Sequence, residues 1–254
     1  MNPGPVPRYN VQGVGISELT LAKATDLVVG AKGSNKLGYV CVCTVHSIGE
    51  ARSDPALRAV LNDSWLSTPD GMPLVWMGPP GVGRVYGPDL MLSVCDKGRS
   101  SGLRHFFFGG TEGVAQELAA RLGARFPGLA IAGTRTPPFR DLTADELSVL
   151  SLEIAQAGTD IVWVGLGMPK QERFMAGPGR SIAVPLMIGV GAAFDFHTGR
   201  VRQAPLWMQR AGLEWLFRLC MEPRRLFWRY ATTNTAFVAR LVAQKLGLGR
   251  YPLA

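Results

Sequence analysis

The sequence lacks any uninterrupted apolar stretch of about 18 residues, the length that a membrane-spanning helix needs. Its first residues carry prolines at Pro3, Pro5 and Pro7 and show no apolar core of a secretory signal. We therefore expect neither a spanning helix nor an export signal, and we expect a cytoplasmic protein.

Cysteine and histidine are scarce, and neither forms a metal-binding pattern. The four cysteines are Cys41, Cys43, Cys95 and Cys220. None has the spacing of zinc ligands, and Cys41 and Cys43 share one face of a predicted strand, where a mutual disulfide is geometrically poor. We expect reduced, mostly buried thiols. His46 and His197 have no spaced partner, so the sequence predicts no metal site.

Two common nucleotide-binding signatures are also missing. The sequence contains neither G-x-G-x-x-G nor a Walker loop, which are typical of NAD and ATP binding. It has no internal repeat, and its glycines and prolines lack the period of collagen. The 254 residues, 47% hydrophobic and 18% charged, indicate a globular protein with a substantial core.

Acidic residues are rare in the last part of the chain, which makes this part strongly basic. Residues 200–254 contain ten basic residues and only two acids, Glu214 and Glu222. Their net charge of +8 equals that of the whole chain, so residues 1–199 are balanced. This distribution favours an anionic partner or a membrane surface.

Apolar strands alternate with helices over most of the chain, which predicts right-handed βαβ units and a mostly parallel sheet of the α/β class. The predicted strands are 37–45, 65–68, 103–108, 129–133, 159–164 and 181–190. The predicted helices are 51–61, 90–97, 114–126, 143–157 and 170–175. Thr143 and Glu146 have the spacing of a capping box.

The last fifty residues are helical, aromatic and basic, and they do not continue the βα pattern. Arg210, Glu214 and Arg218 follow one another at intervals of four residues, which predicts that they share one helix face. Pro223 is predicted to break that helix. The chain therefore divides into an α/β domain, residues 1–199, and a helical appendage, residues 200–254.

The segment 165–172 is the most informative part of the α/β domain. Two glycines, Pro169 and the polar residues Lys170, Gln171 and Glu172 follow a predicted buried strand. Ligands of open α/β sheets bind outside the carboxyl ends of the strands, so we expect these three polar side chains at the rim of a crevice. A tight turn with a solvated helix start is the alternative interpretation.

Other segments have two interpretations each. The glycine loop 108–113, with Gly109 and Gly110, suits phosphate binding at a helix N-terminus, or is a tight turn. Asp70 is a candidate general base, or forms an Asx-turn in Asp-Gly. Arg84 could bind a diphosphate, or is an exposed loop arginine. Asp195, between two phenylalanines, is either paired or binds something polar.

Taken in order, these segments resemble the WecG/TagA/CpsF glycosyltransferases (glycosyltransferase family 26). The matching segments are 70–71, 84–87, 108–110, 165–167 with 169–172, 189–191 with 194–196, 204–205, 213–218 and 222–226. The resemblance covers roughly residues 37–240, and its many ordered motifs make it far more specific than any single loop.

The resemblance implies a GT-E fold, which is a Rossmann-like sheet with a C-terminal helical appendage that binds the membrane. It implies inverting transfer of a sugar from a UDP-sugar to a polyprenyl-diphosphate-linked saccharide in cell-surface polysaccharide synthesis. The sugar would be N-acetylmannosamine, its uronic acid or glucose. The protein would act without a metal or other cofactor, as a peripheral protein on the inner face of the bacterial cell membrane, with possible homo-oligomers.

The resemblance also implies roles for individual residues. Asp70 would be the general base, Arg84 would stabilise the leaving UDP, and Gln171 would position donor or acceptor. The other substrate-binding candidates are Thr44, His46, Gly109, Gly110, Gly167, Lys170, Glu172, Asp195, Arg218, Arg224, Arg225 and Arg229. The four arginines would bind the lipid diphosphate and close the site.

The chain departs from the family pattern at three places, one of which is the short, proline-rich loop from Met77 to Arg84. His46 stands where the family usually has the asparagine of Thr-x-Asn, which puts the donor or acceptor in doubt. Gln203 replaces the arginine of Arg-Ala-Pro.

Two functions of other classes compete with the transferase. The basic tail could bind nucleic acid, although no nucleic-acid-binding motif is present. A nucleotide-binding regulator without catalysis is conceivable because of His46, but the presence of Asp70, Arg84 and Gln171 together argues against it.

Overall fold

The computed structural model describes residues 6–34, 38–249 and 251–253, without the side chains of residues 225, 229–234 and 245. The strands are β1 Arg8–Val11, β2 Val14–Ser17, β3 Gly38–Cys43, β4 Leu66–Pro69, β5 Arg104–Gly109, β6 Ala130–Arg135, β7 Ile161–Gly165 and β8 Leu186–Gly189. Strands β3 to β8 form a parallel sheet in the order β4-β3-β8-β7-β5-β6, which confirms the predicted α/β class.

Helices cover both faces of this sheet. They are α1 Leu21–Val29, α2 Val45–Ser53, α3 Pro55–Asn62, α4 Met72–Val75, α5 Gly87–Lys97, α6 Val114–Arg125, α7 Ala144–Gln156, α8 Lys170–Ala176, α9 Ala193–His197, α10 Leu206–Arg210, α11 Glu214–Met221 and α12 Pro223–Lys245. Short 3-10 helices span Gly98–Ser101 and Pro178–Ser181. The antiparallel hairpin of β1 and β2 was not predicted from the sequence.

Successive side chains of the central strands point to opposite faces, so the sheet has a core on each side. Phe107 and Trp163 pack with α1, α5, α6 and α9 on one face. Phe106 and Phe108 pack with α2, α3, α7 and α8 on the other. Because both faces are covered, the strands are apolar without alternation, as the sequence indicated.

Some predicted boundaries are wrong. The predicted helix 51–61 is two helices, because Asp54 is extended at their junction and its side chain accepts a hydrogen bond from Leu57 N (2.9 Å), which starts α3. The predicted strand 181–190 is shorter, since its beginning is the end of a 3-10 helix. Strand β3 ends at Cys43 because Thr44 caps α2. The capping box of Thr143 and Glu146 is confirmed.

The appendage is helical, but its first helix is interrupted. Gly212 has φ +71° and separates α10 from α11, so Arg210 does not share a continuous helix face with Glu214 and Arg218, contrary to the prediction. Helix α11 ends just before Pro223, as predicted.

The long helix α12 packs against α2 and the β1–β2 hairpin. Phe237 is 2% exposed and belongs to the same core cluster as Phe106. Gln12 Nε2 donates to Phe237 O (3.1 Å), and Gln244 Oε1 accepts from Gln12 N (3.0 Å). The domain boundary after residue 199 stays a prediction. No helix in the described part of the chain is long and apolar enough to cross a membrane.

Candidate active site

A cleft of about 800 Å³ lies at the carboxyl ends of β3, β4 and β8, and the appendage covers it. The strand ends contribute Thr44, Asp70 and Gly191 to its wall. Helices α11 and α12 supply the opposite wall, with Glu214, Trp215, Arg218, Leu219, Phe227, Phe237 and Val238. Six of the candidate residues line this cleft: Thr44, His46, Asp70, Arg84, Gln171 and Arg218.

Asp70 follows β4 directly, and its backbone N donates to Cys43 O (2.9 Å) at the end of β3. The residue is 8% exposed, and its Oδ1 accepts from Arg84 Nη2 (3.1 Å). Helix α4, which follows, has Gly71 at its N-cap and no side-chain hydrogen bond there. Burial raises the pKa of Asp70 to about 7; Arg84 opposes this shift and the Glu214 carboxylate adds to it.

Arg84 is held by contacts along its whole guanidinium group. Nη2 donates to Glu214 Oε2 (2.6 Å) as well as to Asp70, Nη1 donates to Gln209 Oε1 (3.3 Å), and Nε donates to Asp70 O. The guanidinium carbon lies 4.1 Å from the ring centroid of Tyr86. Burial disfavours the charged form of Arg84, but the two carboxylates outweigh it and raise its pKa.

Gln171 and Glu172 are buried, so the expectation that they lie at the rim of the crevice is wrong for both. Gln171 Oε1 accepts from Gly191 N (2.9 Å), and its Nε2 donates to Glu172 Oε1 (2.9 Å). Gln171 thus fixes the turn after β8. Glu172 lies behind it, with Oε2 buried and lacking a hydrogen bond, and burial raises the pKa of Glu172 to about 6.

Thr44 and His46 lie where β3 turns into α2. Thr44 Oγ1 accepts from Ser47 N (3.3 Å), and Ser47 Oγ accepts from Thr44 N (3.1 Å), so the two residues form a capping box. This cap turns the chain sharply and places His46 in the first turn of α2, on the wall of the cleft. His46 Nδ1 lies 3.8 Å from Glu50 Oε1.

The glycine loop after β5 does not line this cleft, and packing explains its two candidates. A Cβ on Gly109 would lie 2.5 Å from Gly165 O, and one on Gly110 would lie 2.8 Å from Val114 Cβ. Gly167 has φ +75°, which favours glycine in the turn before α8. Lys170 is the residue of the 165–172 segment that does reach the surface, where its Nζ lies 4.7 Å from the Phe139 ring centroid.

The remaining candidates are dispersed. Asp195 is half-buried on α9 beside the cleft residue Phe196, and burial raises its pKa. Arg218 lines the cleft, and its Nε is buried without a hydrogen bond. Arg224 is exposed outside the cleft. The side chains of Arg225 and Arg229 lie outside the described part of the chain.

Sequence reasoning missed three residues that organise the site: Tyr86, Gln209 and Glu214. Tyr86 Oη donates to Glu214 Oε1 (3.1 Å), and burial followed by the Glu214 charge raises the pKa of Tyr86. Gln209 and Glu214 reach Arg84 from the appendage. One signal could have identified Glu214, since it is one of two acids among ten basic residues.

Comparison with known proteins matches this chain to a family. The model for the glycosyl transferase WecG/TagA/CpsF family matches residues 9–251. An N-acetylglucosaminyldiphosphoundecaprenol N-acetyl-beta-D-mannosaminyltransferase of Bacillus spizizenii is 32% identical over 212 residues, which cover 82% of this chain and 80% of that protein. A protein of the same name from Bacillus subtilis is 30% identical over 175 residues, 67% of this chain and 65% of its own length. The chain belongs to the WecG/TagA/CpsF family of glycosyl transferases.

Proposed function

We propose that this glycosyl transferase moves an N-acetylmannosamine-class sugar from a UDP-sugar to a polyprenyl-diphosphate-linked saccharide, with inversion at the anomeric carbon. The observation that carries this proposal is the buried Asp70–Arg84 pair at the strand-end cleft. The names of the two Bacillus relatives support the acceptor class and the transferred sugar.

Asp70 is the base in this reaction. The acceptor hydroxyl oxygen attacks the anomeric carbon, its proton passes to the Asp70 carboxylate, and the bond between the sugar and the UDP oxygen breaks. A carboxyl group with a pKa of about 7 suits this role, because it is partly ionised near neutral pH and still basic enough to accept a proton.

Cations in the cleft stabilise the leaving diphosphate. Four of the five N–H groups of Arg84 already have acceptors, so Arg84 offers one N–H to a ligand in this arrangement. Arg218 supplies a second cation, with Nε free of hydrogen bonds. The two guanidinium groups together suit the charge and shape of a diphosphate.

The appendage brings the cleft to a membrane surface. Leu206, Trp207 and Trp228 are more than 60% exposed, and they belong to the basic part of the chain. Apolar side chains among basic residues are typical of helices that lie in a bilayer interface. We therefore place the protein on the inner face of the cell membrane, where it meets a lipid-linked acceptor.

The test is UDP release from a panel of UDP-sugars, with and without a polyprenyl-diphosphate-GlcNAc acceptor in detergent. Acceptor-dependent release from one donor is the expected result, and it would also identify the sugar that the cleft accepts beside His46. A folded protein that binds the nucleotide but releases no UDP from any donor would contradict the proposal and favour a binding protein.

A further inference from the structure

We propose that Glu214 is a positioning residue for the base: it shares Arg84 with Asp70 and opposes the Asp70 charge, and so makes the ionisation of Asp70 depend on the docked appendage. This inference rests on the proposed function, in which Asp70 accepts the proton. It assigns a catalytic contribution to the acidic residue of a tail whose other charges are nearly all basic.

The geometry is a chain of contacts from the appendage to the base. Glu214 is the first residue of α11, and its two carboxylate oxygens have different partners. Oε2 accepts from Arg84 Nη2 (2.6 Å), and Oε1 accepts from Tyr86 Oη (3.1 Å). The same Nη2 atom donates to Asp70 Oδ1 (3.1 Å), so Glu214 and Asp70 share one nitrogen.

The low solvent exposure of the three side chains indicates that their charges interact more strongly than those of a surface ion pair. The side chains of Asp70, Arg84 and Glu214 are 12%, 17% and 18% exposed, so little water screens their charges. A rotamer change of Arg84 would break both ion pairs. Glu214 and the ring of Tyr86, with which the guanidinium stacks, leave Arg84 little freedom to make this change.

In the described part of the chain, five ionisable groups act on Asp70, besides the effect of its burial. Arg84 favours the carboxylate, whereas Glu214 and, to a smaller extent, Asp89 oppose it. The buried Cys43 thiol and Tyr86 are neutral near pH 7, because burial raises the pKa of each well above that pH. Of the two opposing carboxylates, Glu214 acts more strongly on Asp70, and it is the one that the appendage supplies.

The competing explanation is purely structural. An acidic residue in the first turn stabilises a helix through its dipole, and this effect would require no contact with Arg84. The two explanations differ in the pH profile, because a helix-stabilising residue changes the amount of folded enzyme but leaves the ionisation of Asp70 where it was.

The experiment compares Glu214→Gln, Glu214→Asp and the wild-type chain in two measurements. The first is the pH profile of kcat/KM, and the second is a 13C NMR titration of the Asp carboxyls, with Asp70→Asn identifying the Asp70 signal. Asp145→Asn is the matched control, since it also removes one carboxylate but lies exposed on α7 outside the cleft.

Glu214→Gln is expected to move the acid limb and the Asp70 titration to lower pH, on the order of one pH unit for a charge removed at this depth. Glu214→Asp keeps the charge and should stay close to the wild type, and Asp145→Asn should not move either measurement. An unmoved Asp70 titration in folded Glu214→Gln would overturn the inference; if that variant does not fold, Glu214→Ala replaces it with the same expected direction.

The two proposals fail in different ways. Full turnover by Asp70→Asn would refute Asp70 as the base, while the NMR titration would still measure the effect of Glu214 on Asp70. Reduced turnover by Asp70→Asn together with an unmoved titration in Glu214→Gln would leave the proposed function standing and remove Glu214 from it.

Discussion

At the scale of single residues, the site is a small set of largely buried side chains that are joined by ion pairs and hydrogen bonds. Asp70, Arg84 and Glu214 form one ion-paired group, and Gln171 and Glu172 form a second polar pair behind the turn after β8. Buried charges without partners are costly, so each of these side chains is held in place by the others.

Replacing Asp70 with Asn tests the base directly. We expect turnover to fall by roughly 10²–10⁴-fold, the scale of a lost general base, while UDP-sugar binding is largely retained. Steady-state kinetics and calorimetric titration of the donor measure the two effects. Asp145→Asn serves as the control with full activity, and an equal loss in both variants would contradict the assignment.

The pH dependence of the wild-type enzyme follows from the same residue. In the proposed reaction the reactive form of Asp70 is the carboxylate, and burial chiefly raises the pKa of this residue to about 7. Activity should therefore rise as pH increases through this value and level off above it. A profile of kcat/KM that is flat between about pH 5 and 8 would contradict a base with this pKa.

Gly109 lies at a position where close packing leaves no room for a side chain. We expect Gly109→Ala to destabilise the fold by about 3 kcal/mol or more, because its Cβ would lie 2.5 Å from Gly165 O. Gly113→Ala is the matched control: φ there is also positive, +80°, but the added carbon meets nothing within 4 Å. Gly113→Ala should lower the free energy of unfolding by only about 1 kcal/mol. Urea unfolding measures both variants, and equal losses would show that backbone strain, not the contact with Gly165, determines the effect.

At the scale of elements, helix starts and helix breaks direct side chains into the cleft. The cap at Thr44 ends β3 and starts α2, and the positive φ of Gly212 turns α11 so that Glu214 faces Arg84. Local sequence signals explain the starts well. The capping boxes work because side-chain oxygens accept from otherwise unbonded backbone N–H groups.

The capping box of α7 offers a test at this scale. Thr143 Oγ1 accepts from Glu146 N (3.2 Å), so Thr143→Ala should lower the free energy of unfolding by about 1 kcal/mol. Thr143→Ser keeps the hydroxyl group and should cost much less. Chemical denaturation measures both variants, and equal losses would mean that the methyl group of Thr143, not the cap, stabilises the helix.

At the scale of the whole molecule, the appendage has two surfaces with different roles. Its inner surface closes the cleft and joins the core through Phe237, and its outer surface exposes large apolar side chains. Such a division suits a protein that holds one substrate inside and meets another at a lipid surface.

Trp207 tests the outer surface, since it is 64% exposed on α10. We expect Trp207→Ala to weaken binding to anionic vesicles several-fold, because an exposed indole gains most by entering the interface. Phe139→Ala is the control: this ring is 96% exposed but lies in the α/β part of the chain. Co-sedimentation measures both variants, and an equal loss would place the bilayer elsewhere.

Much of this protein could be determined from the sequence alone. Alternating apolar strands and helices predicted the parallel sheet, since strands buried on both faces must be apolar throughout. Ordered motifs predicted the family, the resemblance implied that Asp70 and Arg84 serve one site, and both line the same cleft. These signals are local or periodic, so they can be recognised along the chain.

Only the tertiary structure decided which side chains are buried and which form ion pairs. The sequence predicted Gln171 and Glu172 at the rim of the crevice. Helix α8 instead places both side chains behind the turn that follows β8. Glu214 reaches Arg84 from 130 positions away along the chain. Such pairings depend on how the helices pack on the sheet. The same packing buries Asp70 and so raises its pKa, an effect that cannot be recognised from the spacing of residues along the chain.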